Sequence, residues 1–391
     1  MSDLFSLANR LQPLQRNIFA DMDAAKSKAR QAGKEIIDLS LGSSDLRVTA
    51  AVTDEIARSL GDPHTHGYLL FHGTRSFREA VAAWYKRRYK TTIDPETEVL
   101  PLIGSQEGTA HLPLAILNPG DVALLLDPGY PSHAGGVYLA GGEIYPMPLT
   151  AANDFLPVFA DIPAATVDRA RLMVLSYPHN PTTTIAPFAF FQEAVTFCQK
   201  HNIVLVHDFP YGDFCFDRNL SPSILQADPE KSVSIEFFTM SKSYNMGGFR
   251  VGFAIGNPQL IKALRQIKAI VDFNQYIGIL NGAIVALKEG DESIRQTVDT
   301  FRQRRNAFIT ALTTIGWQVP TPAATMYTWA QLPPQWRSDS MKFCIELVEK
   351  TGVAASAGIG FGKMGEGYVR FALVHDPEVL QKAVDRISLW L

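Results

Sequence analysis

Residues 239–252 read Thr239-Met-Ser-Lys-Ser-Tyr-Asn-Met-Gly-Gly-Phe-Arg-Val-Gly252. One lysine, Lys242, stands among small and hydroxyl side chains. One arginine, Arg250, follows eight positions later. Apolar runs at 233–238 and 253–255 flank the stretch, so it reads as strand, tight loop, strand. Most lysines sit on solvated helix faces. One held at a strand end is partly desolvated, which favours the neutral amine, and a neutral amine attacks carbonyls. Arg250 supplies a planar cation suited to a phosphate, and the hydroxyls of Thr239 and Ser241 can donate to the same group. An amine beside a phosphate clamp is the chemistry needed to hold an aldehyde with a phosphate tail, pyridoxal phosphate.

The elements that must position these groups are strands. Apolar runs at 99–103, 122–127, 172–176, 203–208, 233–240 and 251–255 alternate with helical runs and loops. That alternation predicts an α/β domain with a mostly parallel sheet, whose ligands gather at the strand carboxyl ends. Each remaining motif follows such a run. Ile103-Gly-Ser-Gln-Glu-Gly opens a helix, and Ser105 and Gln106 are the expected anion donors at its N-terminus. Asp127-Pro-Gly-Tyr-Pro131 presents Tyr130, a ring able to stack on a pyridine. Asn180, in Tyr-Pro-His-Asn-Pro, has an amide that can donate to a phenolate oxygen. Asp208 ends the most apolar run, where a carboxylate needs a partner; a protonated pyridine nitrogen is a good one. Tyr211, three residues on, can reach the ring oxygen. His207 reads as a packed or capping histidine. Near the C-terminus, Arg370 follows the glycine-rich run Gly360-Phe-Gly-Lys-Met-Gly-Glu-Gly, and arginine is the residue that grips a carboxylate with two parallel bonds.

Ser-Lys, seven residues, then Arg-x-Gly resembles the cofactor attachment site of class I/II aminotransferases, the fold type I pyridoxal phosphate enzymes. The wording from Ser241 to Asn257 looks most like the branch that holds the LL-diaminopimelate aminotransferases, and the resemblance runs along nearly the whole chain. It implies further roles. Gly42 would bring its backbone to the substrate carboxylate. Tyr68 would reach the cofactor phosphate of a neighbouring subunit, which makes the working unit a homodimer. Tyr130 falls at the ring-stacking position and Arg370 at the substrate-carboxylate position, and the Asp-x-x-Tyr pattern of Asp208 and Tyr211 matches. Two departures stand out. Gly42 is followed by Ser-Ser-Asp-Leu-Arg instead of an acidic residue and a proline. Asn180-Pro-Thr is followed by Thr183, where the family writes glycine.

Bulk properties fit a soluble enzyme. The chain has 391 residues, 46 % hydrophobic and 19 % charged, enough for two or three domains. A net charge of −3 gives no electrostatic case for nucleic acid. The cluster Arg302, Arg304, Arg305 reads as a solvated helix face. Cys198, Cys215 and Cys344 show no paired spacing and read as buried thiols of a reducing compartment. Neither a signal sequence nor an apolar run long enough to cross a membrane is present. These features together point to the cytoplasm, with no membrane partner and no metal.

The chain is expected to form a large cofactor domain at 48–280. A small α+β domain would be assembled from 1–47 and 281–391. The function read from it is a pyridoxal phosphate aminotransferase working between an L-amino acid and a 2-oxo acid, with Lys242 as carrier and proton shuttle. The same parts serve a lyase or synthase of this fold, which stands as the alternative. A non-catalytic effector-binding module is more remote, because such regulators carry an added DNA-binding domain and no basic extension is seen.

Overall fold

The computed structural model describes residues 5, 7–14, 18–217 and 220–391, with residues 18–20 described by backbone alone. Seven strands form the main sheet: β1 (Val99–Leu102), β2 (Val122–Asp127), β3 (Glu143–Pro148), β4 (Ala170–Leu175), β5 (Val204–Asp208), β6 (Ser234–Thr239) and β7 (Gly252–Gly256). Their spatial order is β1-β7-β6-β5-β4-β2-β3. Strand β7 runs antiparallel to both neighbours, β6 and β1, and the pairs β6–β5, β5–β4, β4–β2 and β2–β3 are parallel. The sheet is mostly parallel, as expected. Side chains alternate across it with period two. Leu124 and Leu126 of β2 enter a core with Trp84, Phe191 and Phe253. Ala123 and Leu125 enter a second core with Leu112 and Leu264. Helices cover both faces, among them Arg75–Tyr89, Phe188–His201 and Ile277–Glu289 in the first layer, and Ser105–Ile116 and Pro258–Val271 in the second.

Strand β3 has no counterpart in the sequence reading. It is the edge strand, only one of its six residues is buried, and Pro146 and Pro148 lie within it. Proline cannot donate to a ladder, so it suits an edge and hides the strand pattern.

A third core joins the two chain ends. Met22, Ala25 and Ala29 of the helix Ile18–Gln31 are buried at helical spacing and meet Leu347, Leu380 and Val384. Phe19 falls on the same stripe by its spacing from Met22, and its side chain lies outside the described residues. Ile37–Asp38 pairs in parallel with Val353–Ala354. A small antiparallel sheet is formed by β8 (Tyr327–Gln331), β9 (Ser356–Ala357) and β10 (Tyr368–Ala372), in the order β9-β10-β8.

The long helix Asp291–Thr314 corrects one expectation. Phe301, Arg304, Arg305, Phe308, Ala311 and Leu312 all face inward at i, i+3, i+4 spacing. Only Arg302 of the arginine cluster is exposed. Arg304 is 1 % exposed and holds both oxygens of Asp45, at 2.7 and 2.8 Å, plus Asp376 at 2.9 Å. Arg305 donates to the Pro322 carbonyl and lies over the Phe216 ring. These guanidiniums are inside because each has partners, which is the condition for burying a charge. All three cysteines are buried and form no disulfide. Among the described residues no helix is long and apolar enough to cross a membrane.

Candidate active site

The loops that leave β1, β2, β4, β5 and β6 open on one edge of the sheet, because those strands share a direction. There they enclose a cleft of about 340 Å³, closed on its far side by residues of the third core. Gly42, Ser105, Gln106, Tyr130, Asn180, Asp208, Tyr211, Thr239, Ser241, Lys242, Arg250 and Arg370 all line it. Tyr68 does not. It is 94 % exposed, and its ring centroid lies 6.0 Å from that of Phe273 on the outer surface.

One end of the cleft is an anion cradle. Gly104, with φ of +73°, turns the chain from β1 into the helix that begins at Ser105. The Gly104 backbone, with ψ of 162°, lies in a region that residues other than glycine rarely adopt, and a Cβ there would also meet the Arg250 guanidinium. Arg250 Nη1 donates to the Gly247 carbonyl at 2.8 Å and to Ser241 Oγ at 3.3 Å. Thr239 Oγ1 donates to Ser241 Oγ at 2.9 Å. Hydroxyls, a guanidinium and a helix N-terminus therefore converge on one spot.

Asp208 lies at the back of the cleft, at the end of β5. Its Oδ2 is hydrogen-bonded to His133 Nε2 at 3.0 Å. Its Oδ1 is buried and has no partner. Behind it, His207 hydrogen-bonds Glu236 Oε2 at 2.7 Å and the Tyr177 carbonyl at 2.9 Å, the packed role expected for it. Burial holds His207 neutral, with a pKa pulled down to about 3. Burial also raises the Tyr130 phenol above its usual range.

Lys242 follows β6 directly and donates through Nζ to the Gly42 carbonyl at 2.5 Å. Arg370, on β10, is buried. It donates to Asn180 Oδ1 at 2.9 Å, to the Ser40 carbonyl at 2.8 Å and to Ser356 Oγ at 3.2 Å. Its Nε has no partner. Because Asn180 accepts through Oδ1, its amide nitrogen is the part left for another acceptor. The stretch after Gly42 is pinned: Ser44 Oγ donates to Asn245 at 2.7 Å, and Asp45 is gripped by Arg304.

Thr183, at the position where the resemblance implies glycine, has a left-handed backbone. Its φ is +65°, its N–H donates to the His179 carbonyl at 2.8 Å, and His179 N–H donates to the Thr184 carbonyl at 2.9 Å. Thr183 is therefore a β-branched residue in a left-handed conformation, held by these two backbone bonds.

His133, Tyr327 and Phe361 were not singled out from the sequence. His133 sits in the first turn of the helix Pro131–Ala140, three residues after Tyr130. Tyr327 lies on β8 opposite Ala372, and Trp329 lies opposite Arg370. The alternation Tyr-Thr-Trp in 327–329 was the available signal for a residue on Arg370's face of that sheet.

These residues fit pyridoxal phosphate. The unpartnered Asp208 Oδ1 is an acceptor suited to an N–H, the cradle has the donors a phosphate needs, and Lys242 offers an amine in the same cleft. A mostly parallel sheet flanked by helices, with that set of groups at its strand ends, defines the fold type I class of pyridoxal phosphate enzymes. The profile of aminotransferase class I and II matches residues 34–387, and the chain belongs to that family. It is 40 % identical to an LL-diaminopimelate aminotransferase of Nitratidesulfovibrio vulgaris over 385 residues, 98 % of this chain and 99 % of the relative. A Moorella thermoacetica protein of the same name is 40 % identical over 380 residues, 97 % of each chain. Among solved structures, substrate-bound BacF from Bacillus subtilis superposes with a TM-score of 0.94 at 35 % identity, covering 98 % of this chain and 97 % of BacF. A probable N-succinyldiaminopimelate aminotransferase from Thermus thermophilus gives 0.91 at 40 % identity, covering 96 % and 100 %. The enzyme is a transaminase: with pyridoxal phosphate it moves an amino group between an L-amino acid and a 2-oxo acid.

Proposed function

We propose that the residues lining the cleft divide the transamination among them as follows. Lys242 would hold the cofactor aldehyde and, as a free amine, would take the proton from the substrate Cα and deliver it to the cofactor carbon, the reverse transfer completing the second half-reaction. Ser105, Gln106, Thr239, Ser241 and Arg250 would hold the phosphate, Tyr130 would cover the ring, and Asn180 and Tyr211 would serve its oxygen. Asp208 keeps the ring nitrogen protonated, and His133 holds Asp208 in place. When bound, the cofactor supplies an electron sink for the substrate carbanion. Arg370 grips the α-carboxylate beside the Gly42 backbone, which orients the Cα–H toward Lys242. The single observation carrying this reading is the buried, unpartnered Asp208 Oδ1 in the same cleft as Lys242 and Arg370.

Three further points belong to the same proposal. The working unit is a cytoplasmic homodimer in which Tyr68 enters the other copy's site; its 94 % exposure in one chain supports this. The chain divides into a cofactor domain at 48–280 and a small domain from 1–47 and 281–391. The third core, drawn from both chain ends, favours that division, while Ala283, Ala286 and Leu287 pack in the first core and argue for a boundary a few residues later. The names of the relatives make LL-diaminopimelate the first donor to try. A panel of amino donors with 2-oxoglutarate and pyruvate as acceptors tests the reading: the expected result is formation of a new amino acid with at least one pair. No transfer from LL-diaminopimelate, with turnover of another donor, would move the substrate assignment away from those relatives.

A further inference from the structure

Tyr327 is buried where three site residues meet. Its hydroxyl lies 2.8 Å from that of Tyr211. The Arg370 guanidinium sits over its ring, 4.2 Å from the centroid, and also lies over the Phe361 ring at 4.7 Å. Room for the Tyr327 hydroxyl exists because Gly42 has no side chain: a Cβ there would overlap it. The register explains the meeting, since Tyr327 pairs with Ala372 and Trp329 with Arg370, so ring and guanidinium rise from the same face of the small sheet.

Each phenol has one proton to give and lone pairs to accept. Two phenols joined by one hydrogen bond must therefore take a direction. Burial alone would raise Tyr327, but Lys242, Arg370 and the bond with Tyr211 outweigh it and hold its pKa below the usual value. Burial raises Tyr211 well above its usual value. The Tyr211 proton is the one needed at the cofactor oxygen that this phenol is proposed to serve, so Tyr327 is the donor of the pair. Tyr211 then accepts, and its own proton is left for a second acceptor in the cleft.

We propose that Tyr327 is a positioning residue with two contacts: its hydroxyl donates to Tyr211 and turns that phenol's proton toward the cofactor ring, and its face seats the Arg370 guanidinium for a substrate carboxylate. The inference rests on the roles given above to Tyr211 and Arg370. It makes one tyrosine the mechanical link between the carboxylate clamp and the cofactor's oxygen.

The test uses Tyr327→Phe, Tyr327→Leu, Tyr211→Phe, Arg370→Ala and the double variant Tyr211→Phe/Tyr327→Phe. Propanoate, a carboxylate without an amino group, is titrated calorimetrically into each single-variant holoenzyme. Tyr327→Leu should bind it about five- to tenfold more weakly, the scale of one cation–π contact. Tyr327→Phe keeps the ring and should stay within about twofold. Pyridoxal phosphate is then titrated into apoenzyme by fluorescence. Tyr327→Phe and Tyr211→Phe should each weaken binding by about fivefold, the scale of one hydrogen bond, and the double variant should be no weaker than Tyr211→Phe. Parent-like propanoate binding by Tyr327→Leu, with binding lost in Arg370→Ala, would remove the seat and leave the Arg370 reading intact. Additive losses in the double variant would remove the link to Tyr211. Parent-like binding by Arg370→Ala would instead overturn the reading of Arg370, and the seat with it. Tyr327→Phe changes no ring contact, so loss of fold does not obscure the cofactor arm, and Tyr327→Leu enters the propanoate arm as holoenzyme, already competent to bind cofactor.

Discussion

Asp208 shows how a single residue is made ready for chemistry. One oxygen is taken by His133, and the other is buried without a partner. Such an orphan costs roughly 1–3 kcal/mol unless a donor arrives. Asp208→Ala should still bind pyridoxal phosphate but should lose about a thousandfold in the half-reaction with an amino donor, a few kcal/mol of transition-state stabilisation. Stopped-flow absorbance checks this, and a rate within about tenfold of the parent would assign the pyridinium to another residue. Thr183 offers a stability prediction. A β-branched residue at φ of +65° is strained, so Thr183→Gly should raise unfolding stability by about 1 kcal/mol, offset in part by the freer unfolded chain; urea denaturation would show an unchanged or lower midpoint if the strain argument is wrong. At this scale the sequence was legible wherever one residue had a chemical reason to stand alone. Lys242, Arg250, Asp208 and Arg370 were each conspicuous in a context that suited them poorly. His133 and Tyr327 were not, since an ordinary histidine in a helix and an ordinary tyrosine in a strand gain meaning only from residues 75 and 116 positions away.

Among the elements, the strand ends carry the site. Periodicity and apolar runs made six of the seven sheet strands readable, with boundaries off by one or two residues. The exposed, proline-bearing edge strand β3 was hidden because its composition is that of a loop. The long helix Asp291–Thr314 held a stronger lesson. Arg304 and Arg305 share the stripe of Phe301 and Phe308, so the spacing already placed them inside, while their charge suggested the surface. Arg304 ties the segment after Gly42 to the C-terminal region through Asp45 and Asp376. Arg304→Ala should therefore cost about 2 kcal/mol, less than a fully buried pair because both carboxylates are left facing water. A surface arginine would change stability by about 0.5 kcal/mol or less. Chemical denaturation of the variant separates the two, and a change within that smaller range would contradict the buried-clamp account.

At the scale of the whole molecule, one chain leaves Tyr68, Leu70 and Ile270 bare while its cleft lacks Tyr68. A dimer that donates Tyr68 across its interface accounts for both. Subunit mixing tests it. Tyr68→Ala and Lys242→Ala enzymes should each be nearly inactive, but unfolding and refolding them together should produce activity that neither parent has. In the mixed dimer one site receives both native residues. Restoration would not occur if Tyr68 served its own chain's site, since each chain would then lack one required group.

The central claim is that Lys242, and no other lysine, carries the cofactor. Borohydride reduction of the yellow holoenzyme, followed by proteolysis and mass spectrometry, reads this directly. The account predicts a pyridoxyl-phosphate mass on the peptide containing Lys242 and on no other. Label on a different lysine, or none on a protein that transaminates, would contradict it.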